Sequence, residues 1–284
     1  MASETSRPHS DRHVARFELG HSCGNLKHGE YLGGRRAVIQ LSALAFALCC
    51  IFAAAVVRGY AGFGFSLLSV TALSILLEPR QIIPTIFILE VCASIHLLAI
   101  NWRHVHWHAL GWLVVGCLIG TPIGVYALAR VPAAPLKVAL AGVVVTIAIL
   151  LSRGFTLKSL PGRPGIVGTG LVSGVLNGAL GVGGPPVVIL FFSTPTGAAT
   201  GRASMIAYFL FTDLLGLGWQ WHDGLLNRQV LVRALLYAPA LTAGVFVGNR
   251  MFTAVDPARF RVWVLRLLIA LAALSGAHAL WQRV

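Results

Sequence analysis

RGYAGFGFS at Arg58–Ser66 and NGALGVGGPP at Asn177–Pro186 decide how this chain is read. In each, glycines interrupt a hydrophobic run and a second apolar run follows at once. Glycine tolerates left-handed backbone and close approach, so each string can turn sharply between two helical pieces. A broken membrane helix that recurs half a chain later is how secondary transporters build a binding site at the bilayer midplane.

The sequence around the strings agrees. Hydrophobic residues make up 57% and charged residues 11%, with a mean hydropathy of +0.80. Soluble domains carry about 25% charged residues. Apolar stretches long enough to cross about 30 Å of hydrocarbon recur from Ala37 onward. A single soluble core of 284 residues could not hide that surface. The expectation is an all-α integral membrane protein.

A net charge of +13 raises nucleic acid as a partner, but the basic residues are scattered singly over loops. They read as topology-setting charges that meet anionic headgroups. The five cysteines have no metal or disulfide spacing, and the tail histidines His9, His13, His21 and His28 are irregularly placed. No cofactor and no metal site are expected. Nucleophile elbow, Walker loop and HExxH patterns are absent, and both glycine strings lie between apolar helices rather than after a strand, so no enzyme is expected.

Residues 1–36 form a polar tail expected to be disordered. Five hydrophobic elements follow at about 37–57, 62–77, 82–100, 108–129 and 135–151. A Pro/Gly-containing linker spans 152–165. Five more elements lie at about 166–176, 182–193, 203–219, 228–250 and 258–280. The repeats are therefore 37–151 and 166–284.

The two sets align. Gly59, Gly62 and Gly64 match Gly178, Gly181 and Gly183 at an offset of 119. Arg80 matches Arg202, Glu90 matches Asp213, Trp102 matches Trp219, and Gly120 and Gly124 match Gly244 and Gly248. An odd number of elements per repeat predicts that the second half enters from the opposite side, as an inverted-topology pair with glycine-broken hairpins at its centre. The basic tail favours an N-terminus on the inside.

Arg58 stands at the end of the first half-helix and Asn177 at the matching place in the second. A guanidinium at membrane depth is costly and marks a functional site, and its planar fork suits an oxyanion. The segments after the breaks, starting near Phe63 and Val182, would point helix N-termini at the same anion. The expected substrate site is thus Arg58, Gly59, Gly62, Phe63, Gly64, Asn177, Gly178, Gly181, Val182, Gly183 and Gly184. The competing reading is that these glycines only let helices pack closely. Glu90 and Asp213, in the middle of matched apolar runs, are candidates for proton coupling; the alternative is that they pair with Arg80 or Arg202. His104, His106 and His108 alternate between Trp102 and Trp107 as a strand-like or interfacial segment with aromatic anchors.

AGFGFSLLSVTAL and LNGALGVGGPPVVILFF, each followed by an arginine at the next helix start (Arg80, Arg202), resemble the TauE/SafE sulfite-exporter family over residues 37–284. The resemblance implies an α-helical transporter of the bacterial inner membrane with two homologous halves, carrying sulfite, sulfonates or related anions. Family members often have three successive glycines per motif, whereas this chain has Gly64-Phe65-Ser66 and Gly183-Gly184-Pro185. The function expected is passage of a small anion, a sulfur oxyanion or organosulfonate, by alternating access. The alternatives are a membrane assembly or scaffold protein that moves nothing, and a transporter of another organic acid. The partners are the anion and the lipid bilayer, with the oligomeric state left open.

Overall fold

The computed structural model describes residues 41–152, 160–192 and 198–252. The polar tail and the last expected element, 258–280, lie outside them. The described residues form helices α1 (Leu41–Ala61), α2 (Phe65–Leu73), α3 (Pro79–Asn101), α4 (Trp107–Arg130) and α5 (Ala133–Ser152). They continue with α6 (Arg163–Leu180), α7 (Gly184–Phe192), α8 (Ala198–His222) and α9 (Arg228–Phe252). No strand occurs among them. A short 3-10 turn, Trp102–His104, follows α3 and α4 opens at Trp107, so only Val105 and His106 of the histidine-rich segment are non-helical and no strand forms there. His106 instead caps α4, its Nδ1 accepting from the Ala109 amide at 3.2 Å.

Four helices, α1, α3, α4 and α9, are long and apolar enough to cross a membrane. The nine-residue α2 and α7 are not. At 1.5 Å per residue each reaches only about 13 Å, against about 30 Å of hydrocarbon. The sequence reading allowed both members of a hairpin to be half-helices. The structure gives a long helix followed by a short one, because α1 continues through Gly59 and α6 continues through Gly178.

The breaks fall a few residues later than expected, at Gly62–Gly64 and Gly181–Gly183, and close alike. Gly62 has φ 77° and Gly181 has φ 68°. The Gly62 amide donates to the Arg58 carbonyl and the Gly181 amide to the Asn177 carbonyl, both at 2.8 Å. A left-handed residue that ends a helix in this way needs glycine.

Gly59 and Gly178 pack helices together. A Cβ at Gly59 would lie 2.4 Å from the Val245 carbonyl oxygen, and one at Gly178 would lie 2.6 Å from that of Thr121. The remaining close glycines form two ladders. Gly244 and Gly248 meet the Phe52 and Val56 carbonyls, so α1 lies against α9 in the same direction. Gly116, Gly120 and Gly124 meet Val167, Leu171 and Val175, so α4 lies along α6 in the same direction. Small residues that let backbones touch are a means of helix association in lipid, where apolar burial gives no drive.

Other contacts fix the remaining directions. Arg80, at the start of α3, bonds the Leu128 and Val131 carbonyls at the end of α4, so these helices are antiparallel. Arg233 joins the start of α9 to Gln81 in α3, and Arg202 bonds both Asn101 and Asn249 at their ends. Phe87 packs on Gly216 while Asn101 meets Arg202, which sets α3 antiparallel to α8. Helices α1, α3 and α9 run one way, and α4, α6 and α8 the other.

Candidate functional site between the two helix breaks

Arg58 sits in the last turn of α1 and is 0% exposed. Its Nη1 donates to the Gly62 carbonyl at 2.8 Å, and its Nη2 to Ser94 Oγ at 2.6 Å. Nη1 also lies 3.7 Å from Glu90 Oε1. The guanidinium stacks on the Phe209 ring, 4.8 Å from its centroid. Glu90 and Ser94 share one face of α3 because residues four apart on a helix are neighbours. The Gly62 turn leaves its carbonyl without a helical partner, and Arg58 supplies one.

Asn177 sits at the matching place in the last turn of α6, also fully buried. Its Nδ2 donates to Asp213 Oδ1 at 2.8 Å and to Thr212 Oγ1 at 3.4 Å. Its Oδ1 accepts from the Gly183 amide at 3.2 Å. Ser173, one turn earlier, donates to the Gly183 carbonyl. The internal alignment paired Arg58 with Asn177 and Glu90 with Asp213. Those residues now meet as Arg58 with Glu90 and Asn177 with Asp213.

The two pairs join, since the Asp213 carboxyl lies within interaction range of both Glu90 and Arg58. A polar chain therefore runs Arg58, Glu90, Asp213, Asn177 from one break to the other. Phe209 also reaches both breaks, because Arg58 lies over its ring and its Cζ is 3.3 Å from where a Gly184 Cβ would be. As bare carboxylates, Glu90 and Asp213 cannot donate to each other, and Glu90 Oε1, Glu90 Oε2 and Asp213 Oδ2 have no hydrogen-bond donor among the described residues.

The remaining expected residues divide. Phe63 and Val182 are buried at the turns, beside Gly64 and Gly183. Helix α2 starts at Phe65 and α7 at Gly184, each two residues beyond the start read from sequence. His96 is exposed, away from the Glu90 face, and no cluster of metal-ligating side chains occurs among the described residues. Trp102 and Trp107 are both more than half exposed, as interfacial anchors are.

Sequence reasoning passed over Ser94, Ser173, Thr212 and, above all, Arg202. The signal for the two serines was a hydroxyl four residues from Glu90 and from Asn177. Arg202 was read only as the match of Arg80, as the arginine after the second string and as a possible partner of the acids. It is 2% exposed and bonds the Gly59 carbonyl at the first break, so it pairs with neither Glu90 nor Asp213.

Residues 47–275 match the family described as sulfite exporter TauE/SafE. The chain belongs to the TauE/SafE family. It is 25% identical over 221 residues to a "Probable sulfite/organosulfonate exporter TauE" of Cupriavidus necator, a match covering 75% of this chain and 84% of that protein. It is 28% identical over 202 residues to a "Probable inner membrane transporter protein TsaS" of Comamonas testosteroni, covering 69% and 83%. No solved structure matches the chain. This TauE/SafE member is a multi-pass transporter of the inner membrane and not an enzyme.

Proposed function

We propose that this protein carries a small sulfur oxyanion or organosulfonate across the membrane through a site between the two helix breaks, by alternating access. The observation that carries the reading is the buried chain Arg58, Glu90, Asp213, Asn177, which joins the two breaks. A buried guanidinium paired to a carboxylate is costly to maintain for stability alone. It is useful where an anion must be held and released.

Charge arithmetic couples proton to anion. With both acids ionised, Arg58 and Arg202 are balanced by Glu90 and Asp213. One proton on the carboxyl pair leaves a net positive charge that a monoanion neutralises. Proton and anion would then travel together, with Glu90 and Asp213 as the proton site. The name of the Cupriavidus necator relative supports sulfite and organosulfonates as the cargo class.

Alternating access requires two halves that can exchange roles. The helix directions above support inversion, since α1 and its match α6 run oppositely, as do α3 and α8, and α4 and α9. The segments following Arg130 and Arg250 should therefore face opposite sides. Single cysteines in a Cys-free background, labelled with an impermeant reagent, should report one on each side. Equal labelling from one side would exclude inversion.

Flux tests the function itself. Proteoliposomes containing the protein should accumulate labelled sulfite or methanesulfonate above empty vesicles, faster when the side of entry is acidic. No uptake of sulfite, sulfonate, sulfate or carboxylate would favour a scaffold that moves nothing.

A further inference from the structure

Buried hydrogen-bond donors without acceptors gather at one break. Among the described residues, the buried side-chain nitrogens with no partner are Arg58 Nε, Arg202 Nε and Gln220 Nε2. Both guanidinium nitrogens belong to residues that touch Gly62. Arg58 Nη1 bonds its carbonyl, and Arg202 Cγ lies 2.8 Å from where a Gly62 Cβ would be.

Arg202 stands near the start of α8. Its Nη2 donates to the Gly59 carbonyl at 2.5 Å and to Asn249 Oδ1 at 2.8 Å, and its Nη1 to Asn101 Oδ1 at 3.3 Å. The guanidinium lies over the Phe252 ring at 4.3 Å. Every partner among the described residues is a neutral dipole or an aromatic face. Arg58 is within electrostatic reach and carries the same sign. Glu90 serves Arg58, and no carboxylate serves Arg202 among the described residues. Dipoles offset only part of the cost of a buried charge, and the remainder calls for an anion.

The matched Arg80 shows what a purely structural arginine looks like at this position. It is half-buried and bonds only the two carbonyls at the end of α4. Arg202 holds the corresponding end of α9 through Asn249, and in addition reaches the first break and loses its solvent.

We propose that Arg202 is a second ligand of the transported anion, acting with Arg58 through their two free Nε–H groups. The site is then asymmetric and centred on the first break. It selects anions with at least two oxygen acceptors, such as sulfite or a sulfonate, over halides. The proposal rests on the reading of the chain as an oxyanion transporter.

The test is sulfite titration by calorimetry of the full chain in detergent, with anion-free melting recorded alongside. Arg202→Gln keeps a donor for the Gly59 carbonyl but loses charge and Nε, and should weaken sulfite binding at least about tenfold. Arg202→Lys should be intermediate, and Arg80→Gln should bind like wild type. Chloride should bind wild type far more weakly than sulfite. If Arg202 only caps α1 and α9, Arg202→Gln will melt earlier and yet keep wild-type affinity, which overturns the proposal alone. Absence of sulfite and methanesulfonate binding in the wild type overturns the transporter reading and this proposal with it. Should neither Arg202 variant fold, wild-type protein labelled with 15N-arginine decides. Sulfite must shift two buried Nε–H resonances, and a shift of one alone overturns the proposal.

Discussion

The first break carries buried arginines, Arg58 and Arg202, and the second carries none. Both are built on the same frame, a long helix ended by a left-handed glycine, a three-residue turn and a nine-residue helix. At the first, Arg58 and Arg202 hold the backbone, and α2 brings Ser66, Ser69 and Thr71, all buried. At the second, Asn177 and Ser173 do the same work with neutral groups, and α7 is GPPVVILFF. The frame needs only hydrogen bonds to the turn, which an amide supplies as well as a guanidinium. The excess charge at the first break is therefore unneeded by the frame and points to a ligand. The frame is common to both breaks, and the buried arginines are the difference between them.

Making the breaks alike is the largest perturbation. Arg58→Ala leaves Glu90 buried without its partner, a change that costs about 3–5 kcal/mol in buried pairs. In protein that still reaches the membrane, sulfite affinity should fall at least about tenfold, with Arg58→Lys intermediate because it keeps charge but loses the fork. The double variant Arg58→Gln/Glu90→Gln should melt closer to wild type than Arg58→Ala and still fail to bind. Equal transport by Arg58→Lys and wild type would reduce Arg58 to an anchor.

The glycine ladders test whether the frame is shared. A Cβ at Gly248 would lie 2.0 Å from the Val56 carbonyl oxygen, and one at Gly120 would lie 2.2 Å from that of Leu171. Gly248→Val and Gly120→Val should each lower stability by about 1–3 kcal/mol or more through overpacking. Gly168→Ala, where a Cβ meets nothing, is the control and should be neutral or slightly stabilising. Thermal unfolding in detergent reads all three.

The acids should separate the halves by coupling rather than affinity. Glu90→Gln and Asp213→Asn should each retain sulfite binding within a few-fold but lose the acceleration of uptake by an acidic entry side. Persistence of that acceleration in both would move the proton elsewhere. The smallest effect is expected from Asn177→Ala. It removes one donor from Asp213 and one acceptor from Gly183, which costs about 1–3 kcal/mol in stability, and should weaken sulfite binding less than Arg58→Ala does.

The sequence made much of this legible, and the remainder was hidden for physical reasons. Glycine strings and apolar runs announced broken membrane helices, and the matching of positions put Glu90 and Asp213 in corresponding places, though not beside each other. The break positions were placed early, because Gly59 and Gly178 look like helix breakers in a sequence while backbone contacts from α9 and α4 keep them helical. Period alone does not distinguish a glycine that turns the chain from one that admits a neighbouring backbone. Arg202 was invisible as a ligand for a related cause. It lies 143 residues from the carbonyl it holds, and only tertiary packing brings α8 to the end of α1.

The most direct measurement is sulfite uptake into proteoliposomes with and without an inward acid gradient, comparing wild type with Arg58→Gln. The wild type should concentrate sulfite only when the gradient is present, and Arg58→Gln, inserted at equal level, should stay at the empty-vesicle rate. Equal gradient-driven uptake by both proteins would contradict a site built on the charged break.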